Sequence, residues 1–221
     1  MARQPRFKIA GVTQLITQRG NNKQAVFFSE QDYQYYLDIL NEAAMQQQCQ
    51  IHAFVLIANH IHILATPATA DGISQLMKSV SQRYVSYINR LEKRTGTLWD
   101  GRYKASLIEN GDYILACMHY IETTPVRLSL VENPIGYQWS SYQANARGKE
   151  VGLEITHHKS YNQLESWINK SDKDLQEKYK LFFREQKNEK ESQQIDKAIR
   201  SNSIVGSDEF QASVSKGLTP K

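Results

Sequence analysis

The stretch QIHAFVLIANHIHILATP, residues 50–67, carries two runs of apolar and β-branched residues and ends at Pro67. Runs of this length and composition are typical of β-strands. Only Ala58 and Asn59 separate the two runs, and so short a connection predicts a β-hairpin. The rest of the chain is therefore expected to fold around this pair of strands.

The second strand of this hairpin carries two histidines, His60 and His62. Successive side chains of a strand point to opposite faces, so both imidazoles share one face and the neighbouring isoleucines share the other. Two residues of rise separate the histidines by about 6.6 Å, which lets both rings reach one divalent ion at roughly 2.1 Å each. Paired histidines on a half-exposed strand are as often only polar surface residues, so the spacing alone favours neither interpretation.

Periodicity and turn signals place further elements on both sides of the hairpin. Two strands and three helices are predicted: a strand at 11–19, a helix from the capping-box residue Ser29 to about Gln48, a helix at 73–91 stopped by Gly96, a strand at 98–109 bulged at Gly101, and a helix at 113–124 ended by Pro125. The order βαββαβ, followed by a third helix, predicts an α+β fold with a ferredoxin-like antiparallel sheet and two helices on one face. The histidines are then expected where the other face meets the third helix.

The composition changes after residue 146, which divides the chain into residues 1–146 and a helical C-terminal extension, 147–221. Residues 170–200 are rich in charges of both signs and poor in apolar residues. This pattern predicts one or two exposed helices in a small appendage, and Gly206 precedes a further short helix. His157 and His158 fall in a loop, where solvated side chains are the default.

Length and composition favour a globular protein of one sizeable domain, or one domain with an appendage. The chain has 221 residues, of which 40% are hydrophobic and 23% charged. No apolar run is long enough for a membrane span, and the first residues lack the apolar core of a signal peptide, so a cytoplasmic location is expected. Cys49 and Cys117 stand far apart and outside any Cys-x-x-Cys motif, which argues against a zinc knuckle or a disulfide framework.

The formal net charge is only +4, but positive charge is concentrated in residues 78–104. Tyrosines and a tryptophan are interleaved with the cations there, a combination suited to neutralising phosphates and stacking unpaired bases. A solvated helix face would also be basic, so any one of these cations is as well explained without DNA. The candidate DNA-binding residues, from this stretch and from basic positions on either side, are Arg19, Lys78, Arg83, Arg102, Lys104 and Arg127.

The third predicted helix carries Tyr113 and Tyr120, seven residues apart and thus nearly on one face. A tyrosine in an amphipathic helix is usually a packing residue with a hydrated hydroxyl. A phenol next to a metal-bound phosphate would instead be a nucleophile, and it would divide phosphodiester cleavage into two steps through a covalent intermediate. The helical spacing leaves both tyrosines as candidates.

Several segments between residues 1 and 146 make the chain resemble the REP-associated tyrosine transposases and their insertion-sequence relatives, the HUH single-strand DNA transposases. HUH stands for histidine, hydrophobic residue, histidine, which His60-Ile61-His62 matches. The matching segments are TQRGN at 17–21, HAF at 52–54, NHIHIL at 59–64, GRYKA at 101–105, YIE at 120–122, PVR at 125–127 and WSSY at 139–142.

The resemblance implies a function and a role for individual residues. It implies a metal-dependent single-strand DNA endonuclease and strand transferase, nicking at hairpin-associated sites through a covalent 5′-phosphotyrosine. Tyr120 is then the nucleophile, and His60 and His62 hold Mg²⁺ or Mn²⁺. Relatives often supply an amide as third ligand four residues after the tyrosine, where this chain has Thr124, a weaker ligand. Relatives include monomers and homodimers, and a nucleoid-associated location follows.

Other functions remain open beside this one. A domesticated transposase would bind single-stranded DNA or an RNA hairpin without cutting it. An RNA-recognition module is disfavoured because the central strands carry isoleucines where stacking aromatics are expected. A histidine-triad nucleotide hydrolase is disfavoured because the next same-face position is Leu64.

Overall fold

A computed structural model of the protein describes residues 7–163, 175–185 and 189–216. The strands of this part of the chain are β1 (Gln14–Arg19), β2 (Cys49–Ile57), β3 (His60–Pro67) and β4 (Lys104–Leu107). Its α-helices are α1 (Glu30–Gln46), α2 (Gly72–Leu91), α3 (Asp112–Glu122), α4 (Thr124–Arg127), α5 (Tyr142–Arg147), α6 (Leu175–Glu185), α7 (Glu189–Ser201) and α8 (Asp208–Ser215).

The four strands form one sheet in the order β2-β3-β1-β4, and each pairing is antiparallel. This order, with α1 and α2 as the connections, is the ferredoxin-like arrangement that the sequence predicts. The predicted hairpin is confirmed, since β2 and β3 pair directly across Ala58 and Asn59. The α+β fold and the third helix after β4 are also as expected.

The fourth strand is shorter than predicted. The sequence pattern extends from 98 to 109, whereas β4 covers only Lys104–Leu107. Gly101 adopts a φ of +70°, which breaks the extended backbone before Lys104. Pairing with the end of β1 resumes beyond the break, where Trp99 bridges Gly20 and the Asp100 amide donates to the Arg19 carbonyl at 2.8 Å.

The helix ends follow the local signals with two refinements. The Ser29 amide donates to the Asp32 carboxylate at 2.8 Å, so the predicted capping box at the start of α1 is confirmed. The third helix ends at Glu122, and Pro125 lies in the first turn of the short helix α4 instead of following a helix. Proline is tolerated there because the first-turn amides need no partner within the helix.

The two faces of the sheet are covered by different helices. On one face, α1 and α2 pack over a core that includes Ile61 and Ile63. The other face, with Val55 and Leu64, packs against α3. Isoleucines and histidines of β3 therefore lie on opposite sides, as the alternation predicts. Cys49 and Cys117 are both buried thiols.

Helices α6 and α7 each bury one side, which corrects the expectation of exposed helices for residues 170–200 as far as they are described. Tyr179, Phe182 and Phe183 of α6 follow a helical period of three to four residues and are buried on the second face. Ile195 of α7 is buried with them. An apolar sheet face must be covered, and these helices supply the cover. Residues 170–174 and 186–188 lie outside the described part.

His158 is buried, although a solvated loop position is expected for it, whereas His157 is exposed. The His158 ring lies 4.9 Å from that of His52 on β2, between ring centroids. No helix in the described ranges is long and apolar enough to cross a membrane.

Candidate functional site

The histidines of β3 lie side by side on the sheet face that meets α3. Their ring centroids are 5.1 Å apart, with the rings nearly perpendicular. Across the β1–β3 pair, Thr17 stands opposite His62 and Arg19 opposite His60. Directly opposed residues of antiparallel strands share a face, so these four side chains form one surface.

One nitrogen of each imidazole is occupied by a neighbouring side chain. Nδ1 of His60 lies 2.7 Å from Oδ1 of Asn59, whose amide nitrogen donates to the Lys23 carbonyl. Because that carbonyl fixes the orientation of the amide, Nδ1 of His60 carries the proton. Nδ1 of His62 lies 2.7 Å from the Thr17 hydroxyl. Hydrogen bonds of this kind orient metal-binding histidines and leave Nε2 available as the ligand atom.

Both imidazoles are kept neutral by their surroundings. Burial lowers the pKa of His60 to about 4, and the positive charge of Arg127 adds to the effect. Burial also holds the pKa of His62 well below its usual value, helped by His60 and Arg127. At neutral pH neither ring has to lose a proton before it can bind a cation.

Tyr120 of α3 faces the same surface. Its ring centroid lies 5.7 Å from that of His62, and its side chain is only 4% exposed. Tyr113 lies two turns earlier in the helix and lines a different cavity, with Gln194 and Asp208. The structure thus brings one of the two candidate tyrosines to the histidines.

Two charged residues contact Tyr120 and have opposite effects on the pKa of its phenol. Its hydroxyl donates a hydrogen bond to Oδ1 of Asp196 on α7. The guanidinium carbon of Arg127 lies 3.9 Å from the ring centroid, a cation–π arrangement. Burial, followed by the hydrogen bond to Asp196, raises the pKa of Tyr120 to about 12, while Arg127 opposes this shift.

Thr124, the predicted weak third ligand, is buried beside the tyrosine. Its hydroxyl donates to the Tyr120 carbonyl at 3.0 Å and accepts from the Arg127 guanidinium at 2.7 Å. No cluster of three or more His, Cys, Asp or Glu side chains suited to a metal ion exists among the described residues.

Three of the predicted DNA-binding cations surround the histidine face. Arg19 forms an ion pair with Asp100 at 2.5 Å, and Arg127 covers the tyrosine ring. Lys104 stands opposite Thr17 on the same face, and its ammonium donates to the Arg200 carbonyl at the end of α7.

The other three predicted cations lie elsewhere. Arg83 of α2 forms an ion pair with Glu42 of α1 at 2.6 Å, on the outer side of the helix pair. Lys78 and Arg102 are exposed and line a separate cavity beside Trp99. The basic segment therefore does not form one continuous surface.

Two residues of this region, Asp196 and Glu122, are not among the site residues predicted from the sequence. Asp196 lies 76 residues after Tyr120 in a charge-rich helix, and no local pattern distinguishes it from its neighbours. Glu122 does carry a signal, because it is a carboxylate at the end of a largely apolar helix. It is fully buried and accepts hydrogen bonds from Ser141, Asn145 and Tyr179 at 2.6–2.8 Å. Burial raises its pKa to about 7, although these three donors oppose the shift.

Comparisons with solved structures support the fold. A REP-associated tyrosine transposase bound to a REP hairpin has 19% sequence identity and a TM-score of 0.58, over 72% of this chain and 96% of the other. A putative transposase from Deinococcus radiodurans R1 has 17% identity and a TM-score of 0.38, over 58% and 94%. The tRNA(His) guanylyltransferase from Saccharomyces cerevisiae has 11% identity and a TM-score of 0.41, over 78% and 85%. The last two scores are too low to carry an argument.

Comparisons of sequence identify the family. No curated protein matches the chain. The family model described as "Transposase IS200 like" matches residues 14–124, which include all four strands, both histidines and Tyr120. The matched region is half of the chain and contains β1, β3 and α3, which carry Thr17, both histidines and Tyr120. The chain belongs to the IS200-like transposase family.

Proposed function

We propose that the protein is a metal-dependent single-strand DNA endonuclease and strand transferase that nicks at hairpin-associated sites through a covalent 5′-phosphotyrosine on Tyr120. One observation carries this proposal: Tyr120 lies against the neutral pair His60 and His62 on one surface. Family membership and the fold shared with a hairpin-bound transposase support it.

The donor set fits a divalent cation such as Mg²⁺ or Mn²⁺. His60 and His62 would hold it through Nε2, since Nδ1 of each ring is engaged by Asn59 or Thr17. Thr124 is the proposed weak third ligand, and solvent or phosphate oxygens would complete the coordination. When bound, the ion polarises the phosphoryl oxygen and helps the phenol ionise.

The Tyr120 side chain performs the covalent step. The phenol gives its proton to solvent, and its oxygen bonds to phosphorus. The bond from phosphorus to the 3′-oxygen breaks, and that oxygen takes a proton from solvent to become a 3′-hydroxyl. Because an unperturbed phenol is almost wholly protonated at neutral pH, a positive charge must favour the phenolate. Arg127 lies over the ring and favours this form.

The conversion of one phosphodiester into another preserves the energy of the cleaved bond. A second 3′-hydroxyl that attacks the phosphotyrosine joins strands and returns the phenol to the enzyme. This chemistry suits strand transfer better than digestion by water. In the resting structure the Tyr120 hydroxyl is hydrogen-bonded to Asp196 and buried, so DNA has to displace this contact before the attack.

DNA binding is assigned to the predicted cations in two groups. Arg19, Lys104 and Arg127 surround the reactive surface, which is the surface formed by His60, His62 and Tyr120, and their positions support contacts with phosphates next to the cleaved bond. Lys78 and Arg102 lie at the cavity beside Trp99, and Arg83 is the most remote of the set. Both a monomer and a homodimer are compatible with this arrangement.

A second candidate function is hairpin binding without cleavage, as in a domesticated transposase. Two observations favour it: Thr124 stands where relatives often supply an amide ligand, and Asp196 occupies the hydroxyl of the candidate nucleophile.

Incubation of the purified protein with a single-stranded hairpin library and Mg²⁺ or Mn²⁺ separates the two functions. A denaturing gel should show a covalent protein–DNA adduct that disappears in Tyr120→Phe, His60→Ala and His62→Ala and persists in Tyr113→Phe. Hairpin binding with no adduct under any metal would establish the second function. An adduct lost in Tyr113→Phe and kept in Tyr120→Phe would show that the nucleophile is misassigned.

A further inference from the structure

We propose that the cavity between α2 and the loop before β4 is a subsite for one unpaired nucleotide of the bound DNA strand. This inference rests on the proposed DNA binding and adds a second contact region, separate from the surface that carries Tyr120. It needs no cleavage, so its test is independent of the nucleophile.

The cavity has a volume of about 510 Å³, within the range of roughly 300–1,000 Å³ typical of small-ligand sites. Its walls come from three elements: the end of β1, one side of α2 and the loop that precedes β4. The lining side chains that matter for the argument are Gln18, Lys78, Gln82, Trp99, Arg102 and Tyr103.

Two cations of this cavity are free to meet a phosphate. Lys78 and Arg102 are exposed, and neither has a carboxylate within ion-pair distance in the described part of the chain. Arg19 and Arg83, by contrast, are paired with carboxylates. Two unpaired positive charges at one cavity favour an anionic ligand, and a nucleic-acid phosphate neutralises both on binding.

The interior of the cavity suits a base. Trp99 is only 3% exposed, and its indole N–H has no acceptor among the described residues. Tyr103 adds a second aromatic wall. The exposed amide of Gln82 supplies a donor and an acceptor that suit a base edge, whereas the amide of Gln18 lines the cavity but is held by the Gly101 carbonyl and the Ser81 hydroxyl. The cations at the rim suit the phosphate of one nucleotide, and the aromatic walls suit the ring of its base. The exposed amide suits the polar edge of that base.

The position of the cavity relative to the reactive surface explains why the nucleotide is unpaired and belongs to the same strand. Gln18 lies between Thr17 and Arg19 in β1, and these two neighbours face the histidines. The loop residue Asp100, which adjoins Trp99, forms the ion pair with Arg19. A single strand that passes over this loop reaches both regions, whereas a base recessed in the cavity cannot be paired in a duplex.

The first test compares two double variants that each remove two positive charges. Lys78→Ala/Arg102→Ala alters the cavity, and Arg147→Ala/Lys149→Ala alters exposed cations beyond β2, at the opposite edge of the sheet. Fluorescence anisotropy measures the affinity for a hairpin with a single-stranded flank. This affinity should be at least tenfold lower for the cavity variant and unchanged for the control. The slope of log affinity against log salt should fall by roughly 1.4, about 0.7 for each lost single-strand contact.

The second test locates the nucleotide. A 5-iodouridine placed in turn at each flank position should cross-link from one position to the peptide that contains Trp99 and Tyr103. Circular dichroism and thermal melting establish whether the variants are folded.

Three results would overturn the inference. The first is that the cavity variant binds the hairpin DNA with the same affinity as the charge control. The second is that the cross-link comes from the paired stem of the DNA. The third is that free dAMP or dTMP binds the cavity while no flank position cross-links. An absent adduct in the wild-type protein would instead contradict the proposed chemistry and leave the binding result interpretable.

Discussion

The phenol of Tyr120 donates its hydrogen bond to Oδ1 of Asp196, 76 residues further along the chain. This contact raises the pKa of the phenol and holds α7 over the reactive surface. Asp196→Ala should therefore lower the pKa of Tyr120 and accelerate adduct formation, by roughly tenfold for each unit that the pKa falls.

Gel assays of adduct formation against pH test this effect of Asp196. The rate curve of Asp196→Ala should be displaced toward lower pH. Gln194→Ala, an exposed position on the same helix, serves as the matched control and should follow the wild type. Slower adduct formation in Asp196→Ala would show that the carboxylate assists the reaction.

Arg127 is predicted to favour the phenolate of Tyr120. Its guanidinium covers the ring at 3.9 Å and also donates to the Tyr120 carbonyl at 2.8 Å. Arg127→Met keeps much of the volume but removes the charge, so the pKa of Tyr120 should rise and adduct formation should slow. Loss of a cation–π contact of about 0.5–2 kcal/mol corresponds to roughly a two- to thirtyfold effect.

Spectrophotometric titration gives the Tyr120 signal as the difference between each protein and its Tyr120→Phe counterpart. Arg127→Lys retains the charge without the planar group. The pKa of Tyr120 in this variant should therefore lie between the values in Arg127→Met and in the wild type. Equal pKa values in all three proteins would contradict this role of Arg127.

Thr124→Asn is predicted to strengthen metal binding. The amide restores the ligand type that relatives often use at this position, and an amide oxygen is a better ligand than a neutral hydroxyl. Calorimetric titration with Mn²⁺ should show several-fold tighter binding. Thr123→Asn, at the adjacent position, should bind as the wild type does; an equal gain in both variants would count against Thr124 as a ligand position.

His52 and His158 are predicted to make the fold acid-sensitive. Nδ1 of His52 lies 2.6 Å from the Thr156 carbonyl, so it carries the proton, and Nε2 accepts from Thr66. Nδ1 of His158 accepts from the Ser160 amide. Protonation of either ring turns its acceptor nitrogen into a donor. That nitrogen would then face a second donor, and the hydrogen bond would be lost.

Burial accordingly lowers the pKa of His52, and it lowers that of His158 to about 4. A histidine whose folded pKa is depressed stabilises the fold above its unfolded value of about 6.5, and this contribution is lost as the pH falls toward the folded value. The difference in melting temperature between wild type and His158→Gln should therefore shrink below pH 6.5. Burial lowers the pKa of the less buried His157 as well, so His157→Ala should show the same trend to a smaller extent.

Glu122 is predicted to hold α3 to α5 and α6. Glu122→Ala would leave the donors of Ser141, Asn145 and Tyr179 unsatisfied, at about 1–3 kcal/mol each. The melting temperature should fall by roughly 2–4 °C for each kcal/mol. Glu122→Gln keeps one carbonyl acceptor and should lose less. Equal melting temperatures for Ala and Gln would show that the hydrogen bonds contribute little.

Local sequence patterns were sufficient for the sheet and for the face that carries the histidines. Strand alternation placed His60 and His62 opposite Ile61 and Ile63, because burial of one face determines the register of the whole strand. The short hairpin and the helical periods defined the remaining order of elements. The predicted length of β4 is wrong, because the backbone turns at Gly101 while the apolar sequence pattern continues past that residue.

The long-range contacts of the C-terminal helices could not be predicted in the same way. Charged residues dominate their composition, and a single apolar stripe is enough to bury Tyr179, Phe182 and Phe183. Which surface that stripe meets depends on α3 and α5, which lie far earlier in the chain, and no local period encodes it. Asp196 acquires its contact with Tyr120 only through this docking, and His158 acquires its own through the packing of its loop against β1 and β2.

The cover that α6 and α7 give to the second sheet face has a consequence for synthesis on the ribosome. Residues 1–146 are translated first, and the 55 residues from there to the end of α7 at Ser201 follow at about 5–20 per second, so the apolar surface beside Tyr120 stays uncovered for roughly 3–11 s. During that interval the nascent chain presents the tyrosine without Asp196 and an apolar surface without its helices. The need for chaperones is therefore greatest before α6 and α7 have been made.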